Sequence, residues 1–225
     1  MTACKTPGRP DLDQLRALQR ELAAQVIERP LTHEPQVVAG ADVHIAGGEA
    51  VAVAVATDAD GLMVREVREL WRHVDFPYIP GFLSFREAPA IVDAVNSLEA
   101  KPNLLFVDGQ GRAHPRRFGL ACHVGVMLGI PTIGVAKSKL VGRYAEPGRE
   151  RGSTAPLVDR TETIGMVVRT KTGAPPVFVS VGNLITLEEA VAWTLRLTRD
   201  RIPDPTLRAH QQAQRALATR RARES

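Results

Sequence analysis

Cysteine is nearly absent: Cys4 stands close to the N-terminus and Cys122 inside an apolar run, and there is no third. Two thiols exclude a disulfide framework and are too few for a structural zinc site. Long apolar runs are also missing. None approaches the roughly 20 residues that a membrane-spanning helix needs, and residues 1–10 lack the apolar centre of a signal peptide. The expected compartment is therefore the cytoplasm, with no membrane partner. A third shortage is local: residues 109–145 contain no acid, yet hold Arg112, Arg116, Arg117, Lys137, Lys139 and Arg143. Residues 199–225 add seven arginines against three acids, which accounts for the whole net charge of +4 and leaves residues 1–198 balanced at 22 against 22. Two basic segments favour a phosphate-bearing partner, although a solvated face gives the same composition.

What is present suits one large α/β domain spanning residues 1–225, at 44% hydrophobic and 24% charged residues. Leu15, Leu18, Leu22 and Val26 repeat at helical spacing and predict a helix over 11–28 that Pro30 closes. Strands are predicted over 37–45, 50–56 and 62–71, separated by the turn signals Gly47-Gly48 and Asp60-Gly61. A helix over about 85–98 follows, then a wholly apolar strand at 104–107 of the kind buried on both faces of a sheet. Pro115 predicts the start of a further helix ending at Gly129, before a buried strand at 132–136. Residues 146–160 read as an exposed connection. A hairpin over 164–170 and 177–181, a helix over 187–197 and a last helix opened by Asp204-Pro205 complete the order. Residues 215–225 are expected to fray as a flexible basic tail. Such an order predicts a mixed sheet with helices on its faces.

Three acids fall where this sheet would gather them. Asp42 interrupts an apolar strand, which is costly for an unpaired carboxylate. Asp108 ends the strand 104–107, just before Gly109-Gln110-Gly111. Glu87 stands at the start of a helix, where Ser84 to Glu87 also fits a capping box, and Asp108 before glycine also fits a turn. Carboxylates on adjacent strands can hold Mg²⁺, and Mg²⁺ can drive phosphodiester cleavage. Beside Asp108, His114-Pro115-Arg116-Arg117 would present arginines and free N–H groups to an anion. Lys137 would share the sheet edge of Asp108 if their strands are parallel, or be a solvated loop lysine. His210 reads as a surface histidine. In the loop 76–81 two prolines stiffen an aromatic tip; it serves either as a wedge against stacked bases or as a buried core loop.

The segments 77–87, 107–117 and 131–137 (PYIPGFLSFRE, VDGQGRAHPRR and PTIGVAK) closely resemble the endonuclease V family of deoxyinosine 3′ endonucleases, and the likeness runs from Gly40-Ala41-Asp42-Val43 to Pro203-Asp204-Pro205-Thr206. The resemblance implies a ribonuclease-H-like fold with helices on both faces of a mixed sheet. It implies that Asp42 and Asp108 bind Mg²⁺, with Mn²⁺ able to substitute, that Glu87 and His210 act around the same site, and that Lys137 meets the phosphate. Pro77, Tyr78, Ile79, Pro80, Arg86 and His114 would engage DNA at the wedge. Gly81, Leu83, Gly109, Gly111 and Leu120 would cradle a flipped hypoxanthine, largely through backbone groups. The implied reaction is hydrolysis of the second phosphodiester bond 3′ to deoxyinosine, in single- or double-stranded DNA, by a monomer. Inosine RNA is the rival substrate, and a non-catalytic nucleic-acid binder is the rival class. Two positions depart from the family: many members carry His where this chain has Gln110, and Gly-His where it has Gly182-Asn183. Activity is expected to persist, but secondary contacts and lesion preference are open to change.

Overall fold

A computed structural model describes residues 10–224 of the chain; Cys4 and Ser225 lie outside the described residues. The elements run α1 Leu12–Ala23, β1 Val37–Ala46, β2 Glu49–Asp58, β3 Val64–His73, α2 Leu83–Asn96, β4 Leu104–Asp108, α3 Leu120–Leu128, β5 Thr132–Ala136, β6 Thr154–Asp159, β7 Glu162–Val168, β8 Val177–Asn183, α4 Leu187–Arg196 and α5 Asp204–Glu224. All eight strands form one sheet in the order β3-β2-β1-β4-β5-β8-β7-β6. The β1–β4 and β4–β5 pairs are parallel and the others antiparallel. The mixed sheet and its helices on both faces agree with the fold class expected from the sequence.

Alternation along β1 and β2 decides what lies on each face. Ala39, Ala41, Ala52, Ala54 and Ala56 pack against Ala88, Ile91, Val95 and Val124 of α2 and α3. On the opposite face Val51, Val53 and Val55 meet Ala209, Ala213 and Ala216 of α5. Leu104, Phe106, Ile133 and Val179 lie in a core cluster with Trp193 of α4. Small residues along the sheet let the helices approach closely, and nowhere more than at Gly40. A Cβ there would stand 2.1 Å from the carbonyl carbon of Pro205, so α5 rests with its first turn directly on β1.

Several boundaries differ from the sequence expectation, and four of them have a clear physical reason. α1 stops at Ala23 because the following backbone is claimed elsewhere: the Ile27 N–H donates to Asn183 Oδ1 at 3.0 Å, and the Ile27 carbonyl accepts from the Leu184 N–H at 2.6 Å. α2 begins at Leu83, with Gly81 turning the chain at φ +81°; Ser84 is thus inside the helix, and the expected capping box does not form. α3 starts at Leu120 rather than Pro115, because Arg117 takes a positive φ of 57° that no helix continues. β6 lies within the expected exposed connection; it is an edge strand that buries Ala155 and Leu157 alternately, with Pro156 tolerated because no further strand pairs beyond it. α5 runs to Glu224, with Ala216 buried and the Arg220 guanidinium 4.4 Å over the Trp71 ring.

Candidate active site

Asp42 projects from the middle of β1, on the face that α5 covers, and is 8% exposed. Because Gly40 admits the first turn of α5, His210 of that helix sits over Asp42, with Nδ1 2.7 Å from Oδ2. His44, two residues along β1 and therefore on the same face, places Nε2 3.2 Å from the same oxygen and 3.1 Å from His210 Nδ1. Gln214 Nε2 lies 3.0 Å from the other nitrogen of His210. One ligand atom from each of Asp42, His44 and His210 lies within 4.8 Å of the others, a group able to share a cation. His44 was not among the residues singled out in the sequence; the period of two along a strand was the available signal.

The parallel register pairs Ala41 with Val107, so Asp42 and Asp108 follow side by side on neighbouring strands. Asp108 Oδ2 is 2.5 Å from Lys137 Nζ, which reaches it from the end of the parallel strand β5. Glu87 approaches from the first turns of α2. Its carboxyl is pushed up to about 8, first by burial, then by the Asp42 charge and more weakly by Asp108, with the Arg86 guanidinium opposing. Glu87 thus lies close enough to both aspartates to feel their charge. The Asp42 carboxylate with the imidazole nitrogens of His44 and His210 fits a divalent cation, and Asp108, paired with Lys137, is not part of that group.

Arg112, Arg116 and Arg117 of the acid-free run each have partners within the protein. Arg112 pairs with Glu28 at 2.9 Å and Glu162 at 2.8 Å, and Arg117 with Asp159 and Glu162, both at 2.8 Å. Arg116 donates to the Gly81 carbonyl at 2.6 Å and to Gln19, and lies 4.6 Å over the Phe82 ring. It fastens the base of the loop 76–81, where Phe85 also stacks against Phe76. The tip stays free: Tyr78 is 66% exposed, so the loop is not a buried core segment.

Behind this loop lies a cavity of about 150 Å³ lined by Tyr78, Gly81, Leu83, Gln110, His114 and Leu120, among others. Gly109 is on its wall, whereas Gly111 is packed against β8, where a Cβ would meet the Val181 carbonyl at 2.1 Å. His114 is buried, and that burial holds it down to about 4, so its imidazole is neutral where it lines the cavity. Of the two departures, Asn183 is a structural junction: besides accepting from Ile27 it donates to the Gly125 carbonyl at 3.1 Å. Gln110 borders the cavity.

A family model described as Endonuclease V matches residues 20–211. The chain belongs to the endonuclease V family. It is 54% identical over 197 residues to Endonuclease V of Geotalea uraniireducens, covering 87% of this chain and 84% of the relative. The crystal structure of Endonuclease V from Streptomyces avermitilis superposes with a TM-score of 0.88 at 44% identity, covering 94% and 96% of the two chains. A Ciona intestinalis Endonuclease V in complex with a 24mer DNA containing an inosine followed by a ribo-adenosine shares the fold, with a TM-score of 0.81 at 23% identity over 92% and 98% of the chains. Family membership makes the chain a nuclease. No helix among its described residues is long and apolar enough to cross a membrane.

Proposed function

We propose that this family member is a Mg²⁺-dependent repair endonuclease that cuts the second phosphodiester bond 3′ to deoxyinosine, leaving 3′-hydroxyl and 5′-phosphate ends. One observation carries the reading. Asp42, Glu87, Asp108, Lys137 and His210, scattered over 169 positions of sequence, converge beside a cavity of base size.

In this reading Asp42 and Asp108 supply the carboxylate oxygens that hold the cation, with His44 and His210 adjoining. A bound Mg²⁺ supplies positive charge that polarises the phosphoryl oxygen and makes water easier to deprotonate. Asp42 orients His210, and His44 and Gln214 restrict its ring from either side. Lys137 brings an ammonium group to the scissile phosphate. The prolines of the loop stiffen Tyr78 so that it can occupy the stack that a flipped base vacates, while Gly81, Leu83, Gly109 and Leu120 enclose the base itself. The DNA bound to the Ciona protein supports deoxyinosine strands as the partner.

Nicking of a duplex with one deoxyinosine, by wild-type and Asp108→Ala protein in Mg²⁺, tests the assignment. The variant should bind the duplex and fail to nick it; full activity in the variant would remove Asp108 from the metal site. Matched inosine DNA and RNA strands in parallel reactions determine which sugar the enzyme accepts.

A further inference from the structure

Gln110 is 9% exposed, and its amide is fixed by one hydrogen bond: Nε2 donates to the Ser138 carbonyl at 2.9 Å. A carbonyl can only accept, so the nitrogen must face Ser138 and Oε1 must be the other end. That oxygen is buried and has no partner among the described residues. Its backbone is equally fixed, since the Gln110 carbonyl accepts from the Ala121 N–H at 3.0 Å. The hydroxyl of Ser84 on the facing helix is also buried without a partner. Both residues line the cavity behind the loop. A buried acceptor left unpaired is costly, which directs attention to a donor that arrives from outside.

Resting on the endonuclease reading above, we propose that Gln110 is a specificity-determining residue whose Oε1 accepts the N1–H of a flipped hypoxanthine. Deamination of adenine replaces an N1 lone pair with N1–H and an exocyclic amine with a carbonyl oxygen. An acceptor in the cavity therefore meets a donor on hypoxanthine and a lone pair on adenine. Ser84, as a hydroxyl, can donate to the new O6. An acceptor at Gln110 and a donor at Ser84, both lining one cavity, would complement the donor N1–H and acceptor O6 of a lactam edge.

The test is binding, with Ca²⁺ in place of Mg²⁺, to matched oligonucleotides carrying deoxyinosine, deoxyadenosine or 2′-deoxynebularine, a purine with neither N1–H nor O6. Wild-type protein should prefer deoxyinosine over deoxynebularine by about tenfold or more, the scale of one well-placed hydrogen bond. Gln110→Met should lower that ratio several-fold, leaving only what the Ser84 contact to O6 supplies, and Gln110→His, which restores a ring-nitrogen acceptor, should recover part of it. A wild-type ratio of one overturns the proposal without any mutation, as does an unchanged ratio in Gln110→Met. Failure of the endonuclease reading looks different: wild-type protein would then neither prefer deoxyinosine to deoxyadenosine nor nick it.

Discussion

Asp108 and Gln110 are separated by one glycine, yet they belong to regions built on opposite principles. On the Asp108 side, charged groups crowd together: three carboxylates near one another, two histidines and a lysine, held by α5 on one face of the sheet and by α2 on the other. On the Gln110 side the walls are apolar, and the polar groups that remain are buried and neutral, such as His114. The first arrangement offers ligand atoms for a cation and an ammonium group beside them, and is suited to chemistry on a phosphate. The second offers shape and a few fixed hydrogen-bonding atoms and is suited to choosing a base. A short loop after a buried strand serves both, because alternate residues along it point to different neighbours.

If this division holds, mutations on the two sides should separate cutting from recognition. Asp42→Ala removes a carboxylate from the charged side; nicking should fall by about a thousandfold or more, while affinity for a deoxyinosine duplex persists. Gly40→Ala acts on the same side at a distance. Its Cβ would meet Pro205 and lift α5, displacing His210 and cutting the nicking rate by about a hundredfold, with deoxyinosine preference retained. A change in preference comparable to the change in rate would erase the distinction. Tyr78→Ala should do the reverse, weakening lesion affinity by about tenfold through lost stacking and leaving cation binding intact; titration calorimetry with Mn²⁺ checks the second half.

The smallest effect concerns stability near the cavity. His123 of α3 lies between Phe85 and Phe118, and burial holds its imidazole down to about 4, against 6.5 when exposed. Below pH 6.5 the unfolded chain therefore takes up a proton that the folded chain refuses, and stability falls as pH drops towards 4. Thermal unfolding should show that His123→Leu loses less stability than wild type between pH 7 and pH 5, by about 2 kcal/mol. Equal losses would mean that the neutral side is not kept neutral by burial.

Sequence made parts of this arrangement legible and hid others. Asp42 stood out because a carboxylate in an apolar strand needs a partner. Lys137 beside Asp108 followed from two short buried strands being parallel, as they are. The location of His210 over Asp42 was beyond residue spacing, because it depends on the missing Cβ of Gly40. His44 could have been found from strand alternation but carried no motif. Ser84 fits a cap by local capping chemistry, but the positive φ of Gly81 starts the helix earlier and places it inside α2. The arginines of the acid-free run looked ready for phosphate. The acids that pair with Arg112 and Arg117, namely Glu28, Asp159 and Glu162, lie tens of residues away in sequence, and such pairing is set by the tertiary fold.

The most direct test of the whole account is to map the ends produced from a duplex with a single deoxyinosine, with and without Mg²⁺. A nick at the second phosphodiester bond 3′ to the lesion, with 3′-hydroxyl and 5′-phosphate termini and the base still attached, appearing only with the cation, is the predicted result. Cleavage that proceeds equally in a chelator, or a released base with no such nick, would contradict it.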